Sequence, residues 1–170
     1  MQALREREYL QRLTRAAIVG AFYAAVTLLT APISFGAIQC RVSEALTMLP
    51  WLFPETGWGL FAGCLIANIL GSGNPLDIVF GSLATLLSAI LTSHIRRKGF
   101  AALPPVILNG VMVGAALGYA AAPEAFWVSF PLIALEVVLG EALAVFALGL
   151  PLVSVLGRIS YFRERARRRP

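Results

Sequence analysis

The sequence predicts an all-α integral membrane protein, a single membrane domain of six transmembrane helices with both termini on the cytoplasmic side. Three observations predict it. Of 170 residues, 58% are hydrophobic and only 14% charged, where a soluble domain carries roughly a quarter charged. The charges are clumped in the first fifteen residues, in "HIRRKG" and in the tail "GRISYFRERARRRP", with long apolar stretches between. Prolines and glycines break those stretches into runs, and a run of about twenty apolar residues crosses a bilayer.

The first predicted span runs from Thr14 to Thr30, closed by Pro32 and Gly36. The second, Val42 to Phe53, is short and ends at Pro54; the third, Gly57 to Leu70, is also short and is broken by "GSGNP". The fourth, Pro75 to Ile95, ends at "RRK", and the fifth, Ala101 to Ala122, contains Pro104, Pro105 and Asn109. The last, Glu124 to Ile159, is too long for one straight span, so "LGLPL" with Pro151 is expected to bend it near its end.

Charge supports this count. The turn after span four carries Arg96, Arg97 and Lys98, and the tail carries Arg158, Arg163, Arg165 and Arg167 to Arg169. The turns assigned to the outside hold one basic residue, Arg41. Basic residues mark the cytoplasmic face, so the net charge of +5 reflects membrane orientation and gives no reason to expect nucleic-acid binding. A re-entrant hairpin made of segments two and three would keep the same parity. The basic start superficially fits a cleaved signal, but the length of the run and the spans that follow favour an uncleaved first span.

No catalytic constellation is visible, and the chain is expected not to be an enzyme. Its only lysine, Lys98, lies in "RRKGF", so it has no phosphate-cradling G-x-x-x-x-G-K-[ST] loop. Its only histidine, His94, stands beside the basic turn as an interfacial residue. Cys40 and Cys64 are too few for a disulfide framework or a metal site. No cofactor is expected, and the chemistry on offer is binding.

Polar groups inside spans are costly, by a few kcal/mol on insertion scales, so each needs a reason. Arg41 and Glu44 stand three apart at the outer end of span two, either as an interfacial salt bridge or as the lining of an outward pocket. Asp77 and Asn74 begin span four, where helix capping competes with binding. Counted from Glu124 at about 1.5 Å per residue, Glu136 lies ~18 Å down. It is therefore expected to face the bundle interior and is the favoured ligand contact. Glu141 points about 140° away and is read as a pocket floor or an interhelical partner. Asn109 and Asn68 bind ligand or tie helices together. Trp127 is near the pocket mouth, with stacking weighed against the interfacial role common for tryptophan.

Span one carries two stripes of small residues, Ala17, Ala21 and Ala25 on one and Ala16, Gly20 and Ala24 on the other. Such spacing lets a second helix approach closely, within this chain or from a separate membrane subunit.

The stretches "RVSEALTMLP", "GLFAGCLIANILG" and "LDIVFGSLATLLSAI" together resemble the queuosine-precursor transporter (QueT) family, substrate-binding S-components of energy-coupling-factor (ECF) transporters. The resemblance runs from span one to span six. It implies a six-helix bundle in a bacterial cell membrane with an outward-opening pocket. It also implies an ECF transmembrane coupling subunit and two ATPase subunits as partners. The A-x-x-x-A docking motif of that class is matched best by Ala17 with Ala21, and the neighbouring stripe fits equally in spacing. The implied ligand is queuine or its aminomethyl-deazaguanine precursor. Such a ligand would use Glu136, Asp77 and Glu44 as carboxylates, with Glu141 deeper in the pocket. Arg41, Asn74, Asn109 and Asn68 would act as donors, and Trp127 as a stacking face. An S-component for another vitamin such as thiamine, and a self-contained proton-coupled transporter using Glu136 and Glu141, stand as alternatives.

Overall fold

A computed structural model describes residues 2–35 and 40–159. Gly36 and the basic tail from Ser160 onward, both used in the sequence reading, lie outside the described residues. The described chain is helical throughout: α1 (Gln2–Leu29), α2 (Ala31–Ser34), a 3-10 segment (Val42–Trp51), α3 (Thr56–Gly71), α4 (Pro75–His94), α5 (Leu103–Ala121) and α6 (Phe126–Ala142), then a π-helical segment (Leu143–Gly149) and α7 (Leu150–Leu156), with short 3-10 turns before α5 and α6.

Four helical stretches are long and apolar enough to cross a membrane: Leu4–Leu29, Pro75–His94, Phe100–Ala121 and Pro123–Leu156. Thr56–Gly71 is apolar but shorter. The first helix starts well before Thr14, so its charged beginning extends the same helix. The second predicted span is a 3-10 helix, with Ser43 to Pro50 all buried. A 3-10 run beyond three or four residues is uncommon because its hydrogen bonds are poorer. This one persists because the surrounding helices shield it, which is where irregular backbone is tolerated at membrane depth.

Three residues per turn give the segment three faces, and each serves a different neighbour. Met48 packs with Ala101, Val106, Val145 and Val153, and Gly149 approaches Met48 and the Ala45 backbone too closely to admit a side chain. Leu46 and Leu49 pack with Tyr23, Leu60, Cys64 and Ala89. Glu44 and Thr47 form the third face, with the Thr47 hydroxyl donating to the Glu44 carbonyl at 2.6 Å.

Around this segment α1 packs on α3, α3 on α4, α4 on α5 and α5 on α6. The α1–α3 contact is backbone on backbone. A Cβ added at Gly59 would run into the Ala16 carbonyl, and one at Gly63 into the Gly20 carbonyl. The α5–α6 contact uses Gly110, Gly114 and Gly118 against Val138, Ala134 and Phe130. The predicted break at "GSGNP" is a turn with Gly73 at φ 63°, a conformation glycine adopts without steric cost. The bend expected near Pro151 appears as the π-helical segment ending at Gly149, with Pro151 in the first turn of α7. Proline lacks an N–H and crowds the carbonyl four residues earlier, which displaces the regular ladder.

Candidate functional site

Arg41, Asn68 and Asp77 meet at one end of the bundle, where α3 finishes and the 3-10 segment and α4 begin. Arg41 precedes the 3-10 segment in an extended conformation, which swings its side chain toward α4. Its Nη2 donates to Asp77 Oδ2 at 2.9 Å and to Oδ1 at 3.2 Å. Its Nε donates to the Ser34 carbonyl at 3.4 Å, and its guanidinium lies 5.1 Å from the Phe35 ring centre. Asn68 on α3 donates from Nδ2 to the Asp77 carbonyl at 3.1 Å and to Cys64 Sγ at 3.5 Å. Gly81 leaves the space that Asn68 and Asp77 occupy, since a Cβ there would sit 3.0 Å from each.

Glu44, 1% exposed, accepts a hydrogen bond on Oε1 from the Tyr23 hydroxyl. Beside it the Thr27 and Ser43 hydroxyls bond at 2.6 Å. From the other side α6 brings in Glu141, 3% exposed, within electrostatic reach of Glu44, Arg41 and Cys40 and adjacent to Asn109 of α5. Four buried atoms of this group have no hydrogen-bond partner among the described residues: Glu44 Oε2, Asn68 Oδ1, Asn109 Nδ2 and Glu141 Oε2. A buried polar atom left unsatisfied costs about 1–3 kcal/mol. The four stand on the 3-10 segment, α3, α5 and α6.

Several expectations need correction. Arg41 makes no salt bridge with Glu44; it pairs with Asp77, and Glu44 pairs with Tyr23. Glu136, expected to face the interior, is exposed on the outside of α6, and Glu141 takes the interior position. Trp127 is 83% exposed, packed edge-on against Phe126, and is not part of the cluster. Asn74 caps α4, accepting from the Leu76 backbone N–H at 3.0 Å. Gly20 and Ala24 are buried, and the Ala16, Gly20, Ala24 stripe faces α3 within this chain. Ala17, Ala21 and Ala25 point outward.

Asp77, Glu44, Arg41, Asn68, Asn109 and Glu141 are thus brought together. Tyr23, Thr27, Ser43, Cys64 and Thr85 join them unpredicted, the Thr85 hydroxyl donating to Cys64 Sγ at 3.4 Å. A tyrosine and two threonines in apolar helices were the available signal, because a buried hydroxyl needs a partner.

Residues 13–158 match the family model described as "QueT transporter". The chain belongs to the QueT transporter family. A curated protein of Lactococcus lactis subsp. cremoris (strain MG1363), "Queuosine precursor transporter QueT", is 37% identical over 73 residues, 42% of this chain and 43% of that protein. The aligned stretch spans less than half of that relative's length. No solved structure matches the chain. Within the QueT family match lie all six clustered residues, from Arg41 to Glu141, and both small-residue stripes of α1.

Proposed function

We propose that this chain is the substrate-binding subunit of an ECF-type importer and captures a queuosine precursor, queuine or aminomethyl-deazaguanine, for uptake driven by partner ATPases. The observation that carries the reading is the group of four unpartnered buried polar atoms inside a chain of the QueT transporter family. A deazaguanine offers both N–H donors and a carbonyl acceptor, and the unpartnered atoms include three acceptors and one donor. The relative named as a queuosine precursor transporter supports the same substrate class.

The coupling reading rests on α1. Its outward face combines Ala17, Ala21 and Ala25 with flanking Ile18 and Phe22, both exposed. That surface suits close approach of a transmembrane helix of the coupling subunit. In this reading the chain makes six crossings of a bacterial cell membrane with both ends cytoplasmic. The 3-10 segment and α3 would be two short crossings sheltered by the four longer ones. The buried cluster then lies toward the outside.

Calorimetric titration of the detergent-solubilised protein tests the substrate. Tight binding of queuine or aminomethyl-deazaguanine is expected, with thiamine and riboflavin silent. Tight binding of thiamine or riboflavin by folded protein that ignores deazaguanines would overturn the substrate and leave the binding-subunit reading standing.

A further inference from the structure

The turn between α4 and α5 is tied down on every side, yet its two arginines stay exposed. α4 ends at Ile95, which is extended and whose carbonyl accepts from the Trp51 indole N–H at 3.0 Å. Across the turn the Thr92 hydroxyl donates to the Ala101 carbonyl at 2.9 Å, and the Ala101 N–H donates to the Arg97 carbonyl at 3.0 Å. Lys98, half-buried, donates to the Ser154 hydroxyl of α7 at 2.6 Å. Arg96 and Arg97 are therefore presented on a fixed backbone, and a site held in place in advance loses less entropy on binding.

Their charge is not offset nearby. The two ion pairs among the described residues, Arg15 with Glu55 and Arg41 with Asp77, use neither arginine. No carboxylate side chain occurs between Asp77 and Glu124, nor from Ala142 to Arg158, so the elements meeting here bring none. The Lys98–Ser154 bond also draws together two basic stretches far apart in sequence, because Arg158 follows Ser154 by about one helical turn. Depth fits a headgroup. The turn joins two helical stretches long enough to cross a membrane, Pro75–His94 and Phe100–Ala121, and a tryptophan bonded to it is typical of the membrane–water interface. Phe100 beside the turn and Val155 beside Ser154 are exposed apolar side chains.

We propose that the α4–α5 turn binds the headgroup of an anionic phospholipid, with Arg96 and Arg97 donating to its phosphate and Phe100 and Val155 against its acyl chains. Guanidinium groups suit phosphate because their paired N–H bonds match two of its oxygens. A zwitterionic lipid carries its own ammonium beside the phosphate, so two uncompensated arginines favour a lipid with net negative charge. Asp77 and His94 lie at opposite ends of α4, which separates this site from the buried polar cluster and makes it independent of the precursor.

The test is titration of the full-length protein in a neutral detergent with phosphatidylglycerol and with phosphatidylcholine, bound lipid being counted by native mass spectrometry. Wild type should hold phosphatidylglycerol about 30-fold more tightly, the size expected for two arginines at an anionic headgroup. Arg96→Gln together with Arg97→Gln should bring the two lipids to within about 3-fold of each other. The tail carries five further arginines, Arg163, Arg165 and Arg167 to Arg169, and changing all five to glutamine should leave the preference in place. Equal binding of the two lipids by wild type overturns the proposal. A preference that survives the turn variant and vanishes with the tail arginines overturns the site. Millimolar inorganic phosphate should leave phosphatidylglycerol bound; displacement by it would make the turn a free-anion site and overturn the lipid as occupant. If the double variant does not fold, the two single variants decide, each expected to weaken phosphatidylglycerol about 5-fold, and no weakening in either overturns the proposal.

Discussion

Arg41 and Asp77, 36 residues apart, form a buried ion pair with Nη2 2.9 Å from Oδ2 and both side chains almost wholly excluded from solvent. The pair joins the start of the 3-10 segment to the start of α4. It also fixes Asn68, which donates to the Asp77 carbonyl. Removing one partner strands a charge in the interior, which costs about 3–5 kcal/mol. Asp77→Ala is therefore expected to lower the thermal unfolding midpoint sharply in detergent. The double change Arg41→Met with Asp77→Leu should recover much of the loss. A single variant as stable as wild type would show that the pair does not hold the two elements together.

Tyr23 positions Glu44. Its hydroxyl donates to Oε1 and leaves Oε2 as the free atom. Tyr23→Phe deprives a buried carboxyl oxygen of its donor, at about 1–3 kcal/mol. The expected result is a lower unfolding midpoint together with weaker precursor binding in titration. Unchanged affinity would mean that Glu44 is held by something else.

Added bulk should act differently at the two faces of α1, the inward one probed through Gly59 of α3 and the outward one directly. Gly59→Ala pushes a methyl into the Ala16 carbonyl, and overpacking of this kind costs typically about 1–3 kcal/mol. Ala21→Leu adds bulk on the outward face, so folding and precursor binding should persist while co-purification with the coupling subunit is lost. Retained co-purification would remove this face of α1 from the docking surface.

Glu136 and Trp127 should be silent in binding. Both side chains lie outside the bundle, so Glu136→Gln and Trp127→Ala are expected to change precursor affinity by less than about 2-fold. A loss of 10-fold or more, about 1.4 kcal/mol, for Glu136→Gln in folded protein would return that residue to the site.

Much of the candidate site was legible in the sequence as a set of polar residues that lipid would not tolerate: Arg41, Glu44, Asn68, Asp77, Asn109 and Glu141. Which of them meet was not. The choice between Glu136 and Glu141 shows why. Ala134 of α6 lies against Gly114 of α5. Glu141 follows Ala134 by seven residues, within about 20° of the same direction, whereas Glu136 follows by two and points about 160° away. The periodicity placed the two glutamates apart, and only the glycine face of α5 sets which one turns inward.

The sequence by itself determined the helical apolar runs, the breaks at Gly73 and Pro151, and the residues too polar for lipid, because these follow from composition and backbone chemistry along the chain. The tertiary structure decided the rotation of each helix, the pairing of Arg41 with Asp77, and the stripe of α1 that stays outside. Those depend on close approach between distant segments, Gly20 with Gly59 and Gly114 with Ala134. A backbone contact of that kind is a property of two surfaces together, and neither segment states it alone.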